Sequence, residues 1–155
     1  MLMGGHTVLI VEDDSLIAMD LMSMLEDIGL EICETVDTED AAVAAAALHQ
    51  PDLVIADYHL RHGDGLGAVQ RIKEHLDVSV LFVSGSRSEL RRRDPTAVCV
   101  DKPYTKDSLE SGLSTVLKAS GAAEGRLPRA SRPLHRGLPR PGAADILAMA
   151  EKNTV

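Results

Sequence analysis

A single aspartate, Asp57, stands at the end of an apolar run that begins at Leu53. The run LVIA predicts a buried strand, and the loop that follows it, YHLRHGDG, is polar and contains glycine. A carboxylate fixed in this way can act as a nucleophile or as a metal ligand. An aspartate is equally ordinary where a strand simply reaches the surface, so its role depends on the side chains beside it.

Polar side chains also follow the other predicted strands. In an open parallel sheet, ligands bind outside the carboxyl ends of the strands, so these side chains should meet at one edge. Several carboxylates at one edge repel each other unless one is protonated or a cation compensates. Because the donors are oxygens, with no nearby cysteine or pair of histidines, they favour a hard ion, and a partial cage of carboxylates completed by waters suits Mg²⁺ better than Ca²⁺. The residues at this edge are predicted to be Glu12, Asp13, Asp14, Asp37, Asp57, Ser84, Asp101 and Lys102.

Three of the residues that follow the fourth and fifth strands, Ser84, Gly85 and Lys102, suit an anionic ligand. A hydroxyl and an ammonium can each bind an oxygen of a phosphoryl group, and a glycine leaves room for it. Asp57 could then be the nucleophile that accepts the group. Each residue is ordinary at a strand end when taken alone, but their coincidence at one edge favours a phosphoryl-transfer site.

Five β-rich segments alternate with five segments that have helical spacing. The third and fourth strands are nearly continuous apolar runs, as expected where helices cover both faces of a parallel sheet. The pattern therefore predicts an α/β fold with a doubly wound, five-stranded parallel sheet. The strands are predicted at 7–12, 31–36, 52–57, 78–83 and 96–101, and the helices at 15–30 (stopped by Gly29), 39–50, 65–76, 87–93 and 105–120.

The composition limits the classes of protein that fit. The chain of 155 residues is long enough for one domain and a tail, and 45% of it is hydrophobic. No apolar run approaches the roughly 20 residues that span a bilayer, and the N-terminus lacks a signal-peptide pattern, so we expect a cytoplasmic protein without a membrane partner. Residues 1–120 carry 21 acidic and 10 basic side chains, which argues against nucleic acid as a partner.

Residues 121–155 differ in composition from the rest of the chain. They contain four of the seven prolines and carry a net charge of +3, and they predict an extended, basic linker that ends in a short helical pattern at 143–155. An isolated helix of this length is marginal in water. One hypothesis is an arm that docks on a second protomer and exchanges reciprocally in a dimer, and the alternative is a tail without such contacts.

Five motifs together resemble the receiver domain of response regulators, the CheY-like phosphoacceptor module of two-component signalling. They are 8-VLIVEDD-14, 51-PDLVIADYHL-60, 64-DG-65, 82-FVSG-85 and 101-DKPY-104. The resemblance covers about residues 6–119 and implies a flavodoxin-like fold with strand order 2-1-3-4-5, which gives a receiver domain at 1–120. That order would place Cys33 and Cys99 on opposite edges of the sheet, which excludes a disulfide between them.

The same resemblance implies a role for each residue of the site. Asp57 would accept a phosphoryl group from a phosphohistidine of a sensor histidine kinase, and Ser84 and Lys102 would bind the phosphoryl oxygens. Mg²⁺ would be held by Asp13, Asp57 and the backbone carbonyl of His59, with Glu12 acting through water. The kinase would dock along the first helix. The protein would not be an enzyme, apart from catalysing its own phosphorylation and dephosphorylation.

Two departures from the family pattern affect how activation is conveyed. The loop after Asp57 lacks the usual proline, and Cys99 occupies the position of the usual aromatic switch residue. Activation is then expected to pass through the fourth helix, the loop at 84–88 or the tail. The basic run Arg91–Arg93 is either a solvated face or an interface for an acidic partner. The loop histidines His59 and His62 are expected to be solvated rather than to bind metal through their side chains.

Three classes of function compete. The preferred one is a regulator that signals through protein contacts, because 35 residues after the receiver cannot hold a DNA-binding domain. It is expected to form a homodimer through the face of helix 4, strand 5 and helix 5, through the C-terminal arm, or both. A metal-dependent phosphohydrolase is less favoured because His59 stands where a second aspartate is usual. A non-phosphorylated dimeric scaffold would not need the acidic pair, Asp57, Ser84 and Lys102.

Overall fold

The computed structural model of the protein describes residues 5–119, which form one parallel sheet with helices on both faces. All strand pairs are parallel, and the order is β2-β1-β3-β4-β5, which confirms the predicted flavodoxin-like topology. The predicted arm at 121–155 lies outside the described residues. The elements are β1 (Thr7–Val11), α1 (Ser15–Ile28), β2 (Glu31–Val36), α2 (Glu39–His49), β3 (Leu53–Asp57), α3 (Gly65–Lys73), β4 (Ser79–Ser84), α4 (Arg87–Arg93), β5 (Cys99–Asp101) and α5 (Lys106–Ala119).

The sheet separates two apolar layers. Successive side chains of a strand point to opposite faces, so Leu9 and Val54 pack in the layer under α2, α3 and α4. Ile10 and Ile55 pack in the layer under α1 and α5. Burial on both faces makes the central strands rigid, and β3 is buried along its whole length. The sheet therefore fixes the position of Asp57, the last residue of β3.

Capping residues start the first two helices close to the ends of the strands that precede them. The Asp14 carboxylate accepts hydrogen bonds from the peptide N–H groups of Leu16 and Ile17, at 2.9 and 3.2 Å, and Thr38 Oγ1 caps α2 in the same way. Gly29 ends α1 with φ 101°, a left-handed conformation that favours glycine. The Asp14 and Thr38 caps hold the loops that follow β1 and β2 at the carboxyl edge of the sheet.

The bounds of β5 and α3 depart most from those that the sequence predicts. β5 begins at Cys99 rather than at position 96, because Asp94 organises a turn in which its carboxylate accepts from the Thr96 peptide at 3.0 Å. α3 ends at Lys73 rather than at 76. The peptide N–H groups of residues 75 and 76 both donate to the Ile72 carbonyl, which tightens the chain into a turn.

None of the helices within residues 5–119 is both long enough and apolar enough to cross a membrane.

Candidate functional site

Three carboxylates converge at the carboxyl edge of the sheet. One oxygen each from Glu12, Asp13 and Asp57 lies within 4.8 Å of the others. The sheet brings them together because β1 and β3 are neighbours. Val11, which precedes Glu12, and Ala56, which precedes Asp57, are register partners. Glu12 and Asp57 are buried, at 3% and 7% exposure, whereas Asp13 is half-buried at the mouth of the site.

Lys102 is the cation that faces these carboxylates. Its Nζ lies 2.8 Å from Asp57 Oδ2 and 3.4 Å from Glu12 Oε2. Its backbone is fixed as well, since the peptide N–H donates to the Ser84 carbonyl at 3.0 Å. One ammonium cannot balance three carboxylates, so the pocket keeps an excess of negative charge.

That excess charge changes the protonation of the site. Burial, and then the charge of Asp57, raise the pKa of Glu12 to about 7. Burial alone would lower the pKa of Lys102, but the hydrogen bond and charge of Asp57, with those of Glu12, outweigh it and raise that pKa. Burial, and then the charges of nearby carboxylates, also raise the pKa of Tyr104 to about 12. The pocket therefore favours additional positive charge.

Both oxygens of the Asp57 carboxylate are held. Oδ2 accepts from Lys102, and Oδ1 accepts from the peptide N–H of His59 at 3.1 Å. The peptide N–H of Tyr58, the residue directly after Asp57, donates to the Val83 carbonyl of β4 at 3.2 Å. The carboxylate is thus oriented before any ligand binds, which is the condition for electrostatic catalysis without reorganisation.

Gly65 allows the loop after Asp57 to return against the strand. A Cβ at this position would collide with the Asp57 backbone carbonyl, so the close approach requires glycine. The Gly65 peptide donates to the Tyr58 carbonyl at 2.9 Å, and His59 pairs with Asp64 in an isolated bridge. The backbone of His59 is therefore held at the edge of the pocket.

Asp13 is tied to the same loop, whereas Asp14 is not part of the cluster. Asp13 Oδ2 accepts from the Arg61 peptide at 2.8 Å, and the Arg61 side chain lies 3.8 Å away. Asp14 is exposed and caps α1. Asp101, another polar residue at a strand end, pairs with Arg87 instead of joining the pocket.

Asp37, the predicted acid after β2, is exposed and is not part of the carboxylate cluster, and Ser84 is the remaining predicted side chain. It is fully buried, it follows the Val83 partner of Asp57, and its Oγ accepts from the Ser86 peptide at 2.8 Å. A Cβ added to Gly85 would meet no heavy atom within 4 Å, so there is open space beside the backbone that directly follows Ser84.

No histidine joins the carboxylate cluster among residues 5–119. The side chain of His59 is 58% exposed, and its Nε2 lies 3.7 Å from Glu89 Oε2. The donor set of the pocket is consequently made of oxygens and one ammonium. Such a set, with uncompensated negative charge, fits a hard divalent cation such as Mg²⁺.

Two groups of side chains around the site were not anticipated from the sequence. Glu39, the first residue of α2, accepts from the Asp64 peptide at 3.3 Å and from Arg71 Nη1 at 3.3 Å. Arg93 of α4 donates to the Tyr58 hydroxyl and to Asp64. Only a solvated face or a protein interface was predicted for the basic run that contains Arg93, because a run of arginines does not indicate which of them turns inward.

The sequence is similar to known receiver domains over most of the described residues. The sequence model of the response regulator receiver domain matches residues 8–114. The transcriptional regulatory protein PdtaR of Mycobacterium tuberculosis strain H37Rv is 38% identical over 106 residues, which cover 66% of this chain and 52% of PdtaR. The phyllosphere-induced regulator PhyR of Methylorubrum extorquens is 32% identical over 114 residues, which cover 71% of this chain and 43% of PhyR. The chain thus matches only about half of the length of these relatives.

Solved structures of receiver domains also resemble this chain. The receiver domain of Erythrobacter litoralis PhyR, determined in solution, has a TM-score of 0.70 at 29% identity and covers 86% of this chain and 98% of that domain. The crystal structure of Brucella abortus PhyR has a TM-score of 0.70 at 28% identity and covers 77% of this chain and 51% of that one. With the strand order and the matched family residues, these likenesses show that the chain belongs to the response regulator receiver domain family.

Proposed function

We propose that this protein accepts a phosphoryl group on Asp57 from a sensor histidine kinase, in a Mg²⁺-dependent reaction, and signals through protein contacts. The observation that carries the proposal is the convergence of three carboxylates with the ammonium of Lys102, 2.8 Å from Asp57. Membership of the family supports it, because receiver domains of two-component regulators are generally phosphoacceptors.

Asp57 would act as the nucleophile. One of its carboxylate oxygens attacks the phosphorus of a phosphohistidine, the phosphorus–nitrogen bond breaks, and the imidazole leaves with the bonding electron pair. Lys102 and the Ser84 hydroxyl would bind the oxygens of the transferred group. The His59 peptide donates to Asp57 Oδ1 and Lys102 donates to Oδ2, so the carboxylate is already oriented for the transfer.

The pocket would hold Mg²⁺ through Asp13, Asp57 and the backbone carbonyl of His59, with Glu12 acting through water. When bound, the ion would neutralise charge on the transferring group and on the carboxylates. Glu12 contributes a second function, since its Oε1 accepts from the Asp14 peptide at 3.1 Å and so steadies the loop that carries Asp13.

The exposed face of α1 is the proposed docking surface for the kinase. Leu16 and Met19 lie near the start of this helix, beside the pocket, with 76% and 66% of their surface exposed. Large apolar side chains at this exposure suit a partner that must approach Asp57. Replacing both by serine should slow transfer from the kinase and leave phosphorylation by acetyl phosphate unchanged.

We also propose a homodimer, formed through the face of α4, β5 and α5, through the C-terminal segment, or both. A groove of about 660 Å³ runs along this face between Arg91 and Ser111, with Cys99 in its lining. Light scattering should give the mass of two chains. Deletion of residues 121–155 then distinguishes the two interfaces, because a dimer that persists without the C-terminal segment does not depend on it.

One experiment separates the proposed function from a phosphohydrolase and from a scaffold. The full chain is incubated with acetyl phosphate and Mg²⁺, and its intact mass is followed in time. A phosphoacceptor gains one labile phosphoryl group, and Asp57→Asn gains none. A phosphohydrolase consumes many equivalents of a small phosphate ester, and a scaffold does neither, so either of these results contradicts the proposal.

A further inference from the structure

One residue of α2 reaches across to the loop that follows Asp57. Glu39, the first residue of α2, donates its peptide N–H to the His62 carbonyl at 3.5 Å, and its side-chain Oε2 accepts from the Asp64 peptide at 3.3 Å. Between these two contacts, a Cβ added to Gly63 would collide with the Glu39 side chain. Glu39 therefore contacts three consecutive residues of the loop.

The Glu39 carboxylate is held from its other side by Arg71 of α3. Arg71 Nη1 donates to Glu39 Oε1 at 3.3 Å and to Asp40 Oδ1 at 2.7 Å. The side chains of Glu39 and Arg71 are only 24% and 15% exposed, so salt and water screen their contact incompletely. We call the three residues Glu39, Asp40 and Arg71 the α2–α3 clamp.

The α2–α3 clamp leaves two polar groups of Arg71 without partners. Nε and Nη2 are shielded from water and form no hydrogen bond within residues 5–119, and an unpaired buried donor lowers the stability of the folded state. The helices α2 and α3 already share an apolar layer, in which Ala42 and Val69 are buried. An apolar pair at positions 39 and 71 should serve this packing at least as well, so stability alone does not explain the clamp.

The contacts of Asp64 indicate what the α2–α3 clamp does instead. The Asp64 backbone pairs with His59 in an isolated antiparallel bridge. The Asp64 carboxylate has other partners, because Oδ1 accepts from the Gly67 peptide at 2.6 Å and Oδ2 accepts from Arg93 at 3.0 Å. Its peptide N–H donates to Glu39. A displacement of Asp64 away from Glu39 would therefore move the backbone of His59.

We propose that Glu39 is a positioning residue for the metal site, and that the α2–α3 clamp fixes the backbone of His59, whose carbonyl is a proposed ligand of Mg²⁺. The inference rests on the proposed Mg²⁺-dependent phosphorylation of Asp57. Glu39 is not a member of the carboxylate cluster, so it acts through the backbone of the loop. Without the clamp, binding of the cation would also have to order the loop, and the affinity would be lower.

The test variant, Glu39→Met/Arg71→Met, replaces the charged pair by unbranched apolar side chains. It removes one charge of each sign, so the net charge of the chain does not change. In the full, metal-free chain, we expect the Asp64 amide to exchange its hydrogen about three- to tenfold faster relative to the Ile55 amide in β3. Urea denaturation of the same variant should show a stability equal to or above that of the wild type.

Asp40→Asn is the matched control, because Asp40 accepts from Arg71 but makes no hydrogen bond to the loop in the part of the chain that the structure describes. The second measurement is the dissociation constant for Mg²⁺, from the amide NMR shifts of residues 57–65 in the full chain. It should rise about three- to tenfold in the double variant, less than the roughly 10- to 100-fold typical when a direct partner of a metal ligand is removed. Asp40→Asn should equal the wild type in both measurements.

Three results would overturn the proposal. Parallel acceleration of the Asp64 and Ile55 amides, or an unchanged constant for Mg²⁺ in the double variant, would show that the α2–α3 clamp only packs α2 against α3. Equal weakening of Mg²⁺ binding by Asp40→Asn would assign the effect to the charge of α2 rather than to the loop. A wild-type chain that binds no Mg²⁺ contradicts the proposed function instead, and the exchange measurement, which uses no metal, tests the hold on the loop separately.

Discussion

Lys102 Nζ lies 2.8 Å from Asp57 Oδ2, and both groups are more than three-quarters buried. The pair is the shortest contact between opposite charges in the pocket, and it joins β5 to β3 across the intervening β4. A lysine held in this way neutralises the charge of Asp57, the proposed nucleophile, before any transfer. After transfer, the same ammonium can follow the charge onto the phosphoryl oxygens, so it contributes to both states of the site.

Removal of the Lys102 charge should therefore slow phosphorylation more than it alters the fold. We expect Lys102→Met to take up phosphate from acetyl phosphate about 10²-fold more slowly, the usual cost of losing one preorganised charge-stabilising group. Intact mass against time gives the rate. Lys106→Met is the control, because Lys106 is exposed at the start of α5. Equal rates for the two variants would contradict this role of Lys102.

Substitution of the adjacent acids Asp13 and Asp14 should affect different properties, phosphorylation in the first case and stability in the second. Asp13→Asn removes one of three clustered carboxylates and should abolish both the stabilisation by Mg²⁺ and phosphorylation. Asp14→Ala removes the cap of α1, which should lower the free energy of unfolding by about 1 kcal/mol and leave phosphorylation intact. Urea titrations with Mg²⁺ or with EDTA measure the first property, and intact mass measures the second. Loss of Mg²⁺ response in Asp14→Ala would show that the cluster is wrongly assigned.

The strand ends were predictable because buried apolar runs and parallel pairing follow from local sequence. Asp57 stops an uninterrupted apolar segment, and the strand order 2-1-3-4-5 that the resemblance to receiver domains implies makes β1 and β3 neighbours, so the meeting of Glu12, Asp13 and Asp57 was expected from that order. The hydrogen bonds from Arg93 to the Tyr58 hydroxyl and to Asp64 were not predictable in this way. Arg91, Arg92 and Arg93 are equivalent in the sequence, and only the approach of the loop at Asp64 makes the third of them a structural contact.

The difference between the predicted and the observed start of β5 also comes from a contact that the sequence pattern does not show. Residues 96–98 have the apolar and β-branched composition of a strand, but the Asp94 carboxylate captures the Thr96 peptide and its hydroxyl, at 3.0 and 2.7 Å. A local side-chain acceptor of this kind competes with sheet hydrogen bonds. Composition alone does not show which acceptor prevails.

Gly65 and Gly85 differ in whether the fold requires glycine. Gly65→Ala should lower the free energy of unfolding by about 3 kcal/mol, because its Cβ would collide with the Asp57 carbonyl and the backbone of the loop must shift. Gly85→Ala should change it by less than about 0.5 kcal/mol, since nothing lies within 4 Å of the added carbon. Chemical denaturation of both variants gives the comparison. Similar losses in the two would mean that the loop is not packed against the strand as described.

Glu12 should make the metal-free protein less stable as the pH rises. Its folded pKa, about 7, lies above the ordinary value of 4.5, so between these values the folded chain binds more protons than the unfolded chain. Stability from this group is therefore fully present below pH 4.5 and is lost as the pH rises through 7. We expect a loss of about 1–3 kcal/mol between pH 5 and 8, measured by urea denaturation in EDTA.

Glu12→Gln isolates this contribution, because an amide of nearly the same shape does not titrate in this range. The free energy of unfolding of this variant should lack the decrease that the wild type shows between pH 5 and 8. The stability of the wild type relative to the variant should therefore fall as the pH rises. Mg²⁺ should restore the wild type at pH 8, where the carboxylates are ionised, and act less at pH 5.5, where protons compete for the same oxygens. Parallel pH dependence in wild type and variant would show that Glu12 is ionised throughout, and the excess negative charge assigned to the pocket would then have to be balanced by another group.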